Sequence, residues 1–73
     1  MTSSLEKFGQ FVRQQRQKNG WTQLELSVKV FGSPRYQFIG HLERNKLAGI
    51  TFSTADKIML ALGSELEFRE YEK

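Results

Sequence analysis

The sequence predicts an all-α domain of four short helices, closed by a C-terminal stretch with the pattern of a β-strand. Three observations carry this. Apolar residues recur at spacings of three and four through residues 4–62. Residues suited to helix starts and stops (Thr22, Ser33, Thr51, Asn19-Gly20, Asn45 and Gly63) punctuate that pattern. In the tail, Leu66 and Phe68 alternate with Glu65, Glu67 and Arg69, a period of two.

The first helix is expected over residues 4–19. Leu5, Phe8 and Val12 share one face, Ser3 or Ser4 can cap the start, and Asn19-Gly20 can end it. Phe11 either widens the apolar face or lies partly exposed. Lys7, Arg13, Gln14, Gln17 and Lys18 form the outer face. Thr22 caps a second helix, running through Val30 and offering Leu24, Leu26 and Val30 to the core. Trp21 precedes the cap, where an apolar residue staples onto the helix it introduces. Phe31-Gly32 breaks the chain.

A third helix is expected to start at the cap Ser33, with Pro34 in the first helical position, and to run to Arg44. The serine hydroxyl can accept from a free N–H, and proline has none to satisfy. Ile39 and Leu42 face inward; Arg35, Tyr36, Gln37 and His41 face outward. Asn45 is a left-handed helix stop. After a loop, Thr51 caps a fourth helix over residues 52–62, with Phe52, Ala55, Ile58, Met59 and Leu62 inward and Gly63 at its end.

With 73 residues and no cysteine, the chain has room for one small core and has no disulfide or thiolate metal site to support it. Absence of cysteine suits a reducing, cytoplasmic setting. No apolar run approaches the roughly 18 residues of a membrane span, and the first residues do not read as a signal peptide. Residues 1–63 carry nine Lys/Arg against four Asp/Glu, net +5, and residues 64–73 carry two against four, net −2. A basic body with an acidic tail fits a body facing phosphates, with an ordinary solvated surface as the alternative.

The second and third helices with their tight turn therefore read as a helix-turn-helix whose second helix enters a DNA major groove. Arg35 can pair bidentately with guanine and Gln37 with adenine, while Tyr36 can touch a thymine methyl or a phosphate. His41 either joins them or is a solvated helix residue; as the sole histidine it does not suggest a metal site. Phosphate candidates are Gln23 at a helix N-terminus, Ser33, Lys46, Arg44 and Arg13. Nothing in the sequence has the pattern of a catalytic constellation, a cofactor loop or a small-molecule site. The chain is expected not to be an enzyme and to need neither cofactor nor membrane.

A single strand needs a neighbour for its backbone groups. The expected neighbour is the same tail of a second copy, with Leu66 and Phe68 in a two-stranded ribbon; a frayed helix or a disordered tail is the alternative. The expected organisation is a DNA-binding domain over residues 1–63 and a dimerisation element over 64–73.

Phe8-Gly9, Val12-Arg13 and Arg16, then Gly20-Trp21-Thr22-Gln23 with Glu25-Leu26, then Ile39-Gly40 and Leu42-Glu43-Arg44, then Thr51-Phe52, together resemble the lambda-repressor-like helix-turn-helix family. The resemblance covers residues 8 to about 63. It implies a compact domain of four or five helices that binds operator DNA as a homodimer. It also implies that Gln23 bonds a phosphate and that Arg16 and Glu43 form a structural ion pair.

Two features depart from the family. Eight residues separate Val30 from Ile39, a longer connection than usual, and Gly40 stands where a small polar residue is common. Residues 12–23 and the C-terminal strand are similar to HipB-type antitoxins, which repress their own operon and bind a kinase toxin. That narrower likeness implies a toxin–antitoxin repressor with a kinase-like partner. A phage-type repressor or a restriction-modification controller, without a toxin, is the alternative.

Overall fold

A computed structural model describes residues 4–63. Four α-helices follow one another: α1 (Ser4–Lys18), α2 (Gln23–Phe31), α3 (Tyr36–Glu43) and α4 (Phe52–Ala61). The described residues include no strand. The expected strand, with Leu66 and Phe68, and the Ser3 cap lie outside them.

Helix boundaries follow local chemistry. At the start of α2 the Thr22 hydroxyl accepts from the Glu25 N–H at 3.0 Å, and the Glu25 carboxylate accepts from the Thr22 N–H at 2.8 Å. This reciprocal box satisfies two donors that no helical carbonyl reaches. Trp21 just before the cap and Leu26 four positions into the helix both join the core, which fixes the angle of entry.

Two stops share one geometry. At the end of α1, Gly20 has φ +72°, its N–H bonds the Gln17 carbonyl at 3.0 Å, and the Trp21 N–H bonds the Arg16 carbonyl at 3.1 Å. At the end of α3, Asn45 has φ +57°, its N–H bonds the Leu42 carbonyl at 3.2 Å, and the Lys46 N–H bonds the His41 carbonyl at 2.8 Å. Both are left-handed caps that satisfy the last carbonyls of a helix, and asparagine tolerates that conformation better than other side chains do.

The core is Val12 from α1, Leu26 from α2, Ile39 and Leu42 from α3, and Ile58 and Leu62 from α4 and its end. Phe8 and Phe11 pack against it, partly buried, so Phe11 widens the apolar face of α1. Helix α3 packs on both α1 and α2, and α4 packs on α2. Gly9 makes the first of these contacts possible. A Cβ at Gly9 would overlap the Leu42 carbonyl oxygen and stand 3.1 Å from its carbon.

Three sequence expectations are corrected. Leu24 is 45% exposed and does not join Leu26 in the core. Residues two apart lie about 200° apart around a helix, so one of the pair must face out. Leu26 shares its buried face with Ser27, whose hydroxyl donates to the Leu24 carbonyl at 2.7 Å.

Ser33 does not cap α3. Its carbonyl accepts the Arg35 N–H at 2.8 Å, closing a tight turn around Pro34, so the helix starts at Tyr36. Arg35 takes the cap position without a side-chain capping bond.

Phe52 is 92% exposed rather than inward. Phe52 stands at the first position of α4, and the inward face of the helix begins with half-buried Ala55 and continues through Ile58 and Met59.

Gly9→Ala is expected to destabilise the fold by about 1–3 kcal/mol, the cost of overpacking a close backbone contact. An unchanged urea midpoint would show that α1 and α3 can separate freely.

The Thr22 backbone and hydroxyl hold the Glu25 carboxyl below its ordinary value. A carboxylate depressed in the folded state contributes stability above its unfolded pKa and loses it as pH falls through the folded value. Urea midpoints measured from neutral to acid pH should therefore fall less steeply for Glu25→Ala than for the parent. Parallel curves would reject the box as a source of acid sensitivity.

Candidate functional site

Of the residues selected from the sequence, Arg16, Gln23 and Glu43 meet at the junction of α1, α2 and α3. Arg16 lies near the end of α1, and its guanidinium meets Glu43 end-on. Nε donates to Glu43 Oε2 at 2.7 Å and Nη2 to Oε1 at 2.9 Å. Nη1 donates to the Trp21 carbonyl at 2.8 Å. Gln23 Nε2 adds a donor to Glu43 Oε1 at 3.2 Å. The two charged side chains are only 12% and 3% exposed, so this is not a solvated surface pair. The bond to Glu43 raises the Arg16 pKa further, keeping the guanidinium charged at any working pH.

Gly40 has a place in this arrangement. An ideal Cβ there would lie 3.2 Å from Gln23 Oε1 and 3.3 Å from an Arg44 guanidinium nitrogen. The missing side chain lets Gln23, at the first turn of α2, lie across α3 beside Arg44. Glycine weakens the helix interior by roughly 1 kcal/mol relative to alanine; here the same residue provides room for an inter-helix contact.

The back of α3 is fixed by buried Ile39 and Leu42 and by tethered Glu43. Its front is open. Gln37, His41 and Arg44 stand at i, i+4 and i+7, so they share one face, and all three are exposed. Tyr36, 49% exposed, stands at the start of that helix. Exposed Lys46 follows just past the Asn45 stop. Ser33 is half-buried in the turn, and Arg13 is exposed on α1.

Arg35 is set apart from that face. Its guanidinium lies 4.5 Å over the Phe31 ring and 5.9 Å from the Phe38 ring. The two rings meet edge to face at 5.4 Å. Lys29 likewise sits 4.5 Å over Trp21, which is half-buried against the core.

Sequence reading gave Phe31, Phe38 and Gly9 no role in the site. Phe31 and Phe38 are seven apart, with Arg35 between them. That spacing signals stacking only once α2 is known to run through Phe31 and α3 to begin at Tyr36.

Among the described residues, no helix is long and apolar enough to cross a membrane. Compared with family models, with curated proteins and with solved structures, the chain finds no match in any of the three.

Arg16→Met removes one half of a nearly dry pair and leaves Glu43 short of its main partner. The expected loss is about 3–5 kcal/mol of unfolding free energy. The double variant Arg16→Met with Glu43→Leu should recover much of it. Additive losses in denaturant titrations would mean that the two side chains act independently.

Proposed function

We propose that the chain is a sequence-specific DNA-binding repressor that acts as a homodimer on a pseudo-palindromic operator. In this reading α2 and α3 form a helix-turn-helix and α3 enters the major groove. The observation that carries it is the contrast between the two sides of α3. One side is locked by Ile39, Leu42 and the Arg16–Glu43 bond; the other presents Tyr36, Gln37 and His41 to solvent. A helix with its side chains is about 10–12 Å across, and the major groove about 12 Å wide.

Gln37 is the side chain best placed to pair with an adenine edge, and His41 and Tyr36 are its neighbours. Arg44 and the Gln23 side chain, which meet beside Gly40, together with Lys46 just past the Asn45 stop, are the phosphate candidates of this reading. Arg13 and Ser33 are more peripheral phosphate candidates. Arg35 joins the base contacts by leaving the Phe31 ring or by using its free edge while stacked. Recognition needs no cofactor, metal or catalytic group.

Two recognition helices of a dimer would stand about 34 Å apart on an operator. The acidic segment 64–73, net −2, motivates a second role as an antitoxin that holds a kinase-like toxin, with DNA binding as feedback. A phage-type repressor or a restriction-modification controller would lack that partner, and the gene adjacent to this one separates the cases.

Mobility shifts with the DNA upstream of its own gene test the reading; absence of binding at low salt would sink it. Gln37→Ala should weaken operator binding by about 5- to 150-fold, equivalent to about 1–3 kcal/mol, while leaving non-specific binding unchanged. Lys46→Ala should weaken both kinds of binding and reduce the salt slope by about 1. The reverse pattern would interchange the roles assigned to these two residues.

A further inference from the structure

Asn19 and Gly20, at the stop of α1, form the one Asn-Gly step in the chain. An asparagine amide is most open to attack by the next backbone nitrogen when glycine follows, because glycine has no Cβ to crowd that nitrogen. We propose that Asn19-Gly20 is a site of spontaneous covalent modification, where Asn19 converts to aspartate and isoaspartate and thereby loosens the junction of α1 and α2. The inference does not rest on DNA recognition, since neither residue is assigned a base or phosphate contact.

The chemistry needs only solvent. The Gly20 nitrogen gives up its proton and bonds to Asn19 Cγ. The Cγ–Nδ2 bond breaks, and Nδ2 leaves as ammonia with that proton. The cyclic imide that remains takes up one water. Opening at Cγ restores the main-chain link and leaves an aspartate side chain. Opening at the Asn19 carbonyl carbon routes the chain through Cγ and leaves isoaspartate.

Two observations make the step accessible in the folded chain. Residues 17–20 are all exposed, so water and hydroxide reach them. A Cβ built at Gly20 meets nothing within 4 Å, so the ring has room to form there.

Two others restrain it. The Gly20 N–H is donated to the Gln17 carbonyl at 3.0 Å, which keeps the nucleophile protonated and aimed at its own helix. Asn19 Nδ2 donates to the Gln15 carbonyl at 3.0 Å, the oxygen that also accepts the Asn19 N–H at 3.1 Å. Reaction therefore waits for both bonds to open. The end of a helix opens at far lower cost than the whole domain, so the α1 stop sets the rate.

The products do not fit the turn they replace. Either one carries a carboxylate at residue 19, which has no proton to give the Gln15 carbonyl. It also sets a negative charge at the negative end of the α1 dipole. Isoaspartate further lengthens the main chain by one carbon just ahead of Trp21. The Trp21 N–H bonds the Arg16 carbonyl at 3.1 Å, and the Trp21 carbonyl accepts from Arg16 Nη1 at 2.8 Å. Displacing Trp21 removes one hold on the guanidinium that fixes Glu43.

The chain holds its own control. Its other asparagine, Asn45, is also exposed, but Lys46 follows it and crowds the attacking nitrogen. The test is to keep the full chain warm at mildly alkaline pH for weeks and to follow both asparagines by peptide mass mapping, with isoaspartate counted by enzymatic methylation. Acid should accumulate at residue 19, mostly as isoaspartate, while Asn45 stays intact. The rate should lie about tenfold or more below that of the chain unfolded in guanidinium. The aged protein should show a lower urea midpoint, and Asn19→Gln aged in the same way should keep its own.

No conversion at residue 19, or equal conversion at Asn45, overturns the inference. So does an equal rate in the folded and unfolded chain, which would leave the α1 stop no part in the reaction. An aged protein with an unchanged midpoint, or an equal fall in aged Asn19→Gln, would show that the modification does not loosen the junction, and would also overturn it.

Discussion

The carboxylate of Glu43 takes three donors from two other helices: two from Arg16 and one from Gln23. Its position sets how α3 lies on the body. Hydrophobic burial alone leaves a short helix free to rotate and slide, because Ile39 and Leu42 could be covered in several nearby registers. A bidentate guanidinium–carboxylate contact has one good geometry. The same guanidinium also holds the Trp21 carbonyl, so the entry to α2 is tied to the same point. With side chains 12% and 3% exposed, the pair has lost most of its water, and the cost of that desolvation offsets much of its Coulombic gain. Its effect is specificity of arrangement: the bidentate contact fixes one register of α3 on α1.

Local stops make that arrangement reachable for so small a chain. The Arg16 carbonyl accepts from Trp21 N–H while the Arg16 side chain donates to the Trp21 carbonyl. Backbone and side chain of one residue therefore close the turn from α1 to α2 from both sides. At the end of α3, the Asn45 stop directs the chain away directly after Glu43 and Arg44. Each stop is encoded within a few residues, so the connections leave few relative orientations of the helices to be sorted by packing. Gly9 then decides the spacing of α1 and α3, because it lets the Leu42 carbonyl approach where any side chain would intrude.

Much of this was legible in the sequence, and what was not has identifiable reasons. Thr22 with Glu25, Asn19-Gly20 and Asn45 state their roles through local chemistry, and the four helices follow from them and from apolar periodicity. Leu24 has the residue type of a core position, but the helical angle of about 200° between it and buried Leu26 turns it outward. Phe52 misled for a different reason: its spacing from Ala55 is right, but spacing does not say how far the neighbouring elements extend to cover it. Ser33-Pro34 has the composition of a helix start, yet the turn around Pro34 uses the Ser33 carbonyl first. The meeting of Arg16 with Glu43, 27 residues apart, lies outside any local rule, and only the family resemblance suggested it. The roles of Gly9 and Gly40 were invisible because each depends on what another helix places opposite it.

The delayed start of α3 bears most directly on Arg35. Had Pro34 opened the helix, Arg35 would have stood within its first turn. Instead it occupies the cap position, with its guanidinium over Phe31. A cation–ring contact at an exposed site contributes about 0.5–1 kcal/mol, whereas a bidentate arginine–guanine pair discriminates by about 1–3 kcal/mol. Stacking therefore does not forbid a base contact; it sets the position from which one would begin and reduces its net gain. Among the described residues Gln37 has no such competing partner, and it lies on the face shared with His41 and Arg44. In the proposed complex, discrimination accordingly rests more on the amide than on the guanidinium. The connection between α2 and α3 places the cationic side chain on the aromatic pair that closes the turn rather than in the first turn of the helix.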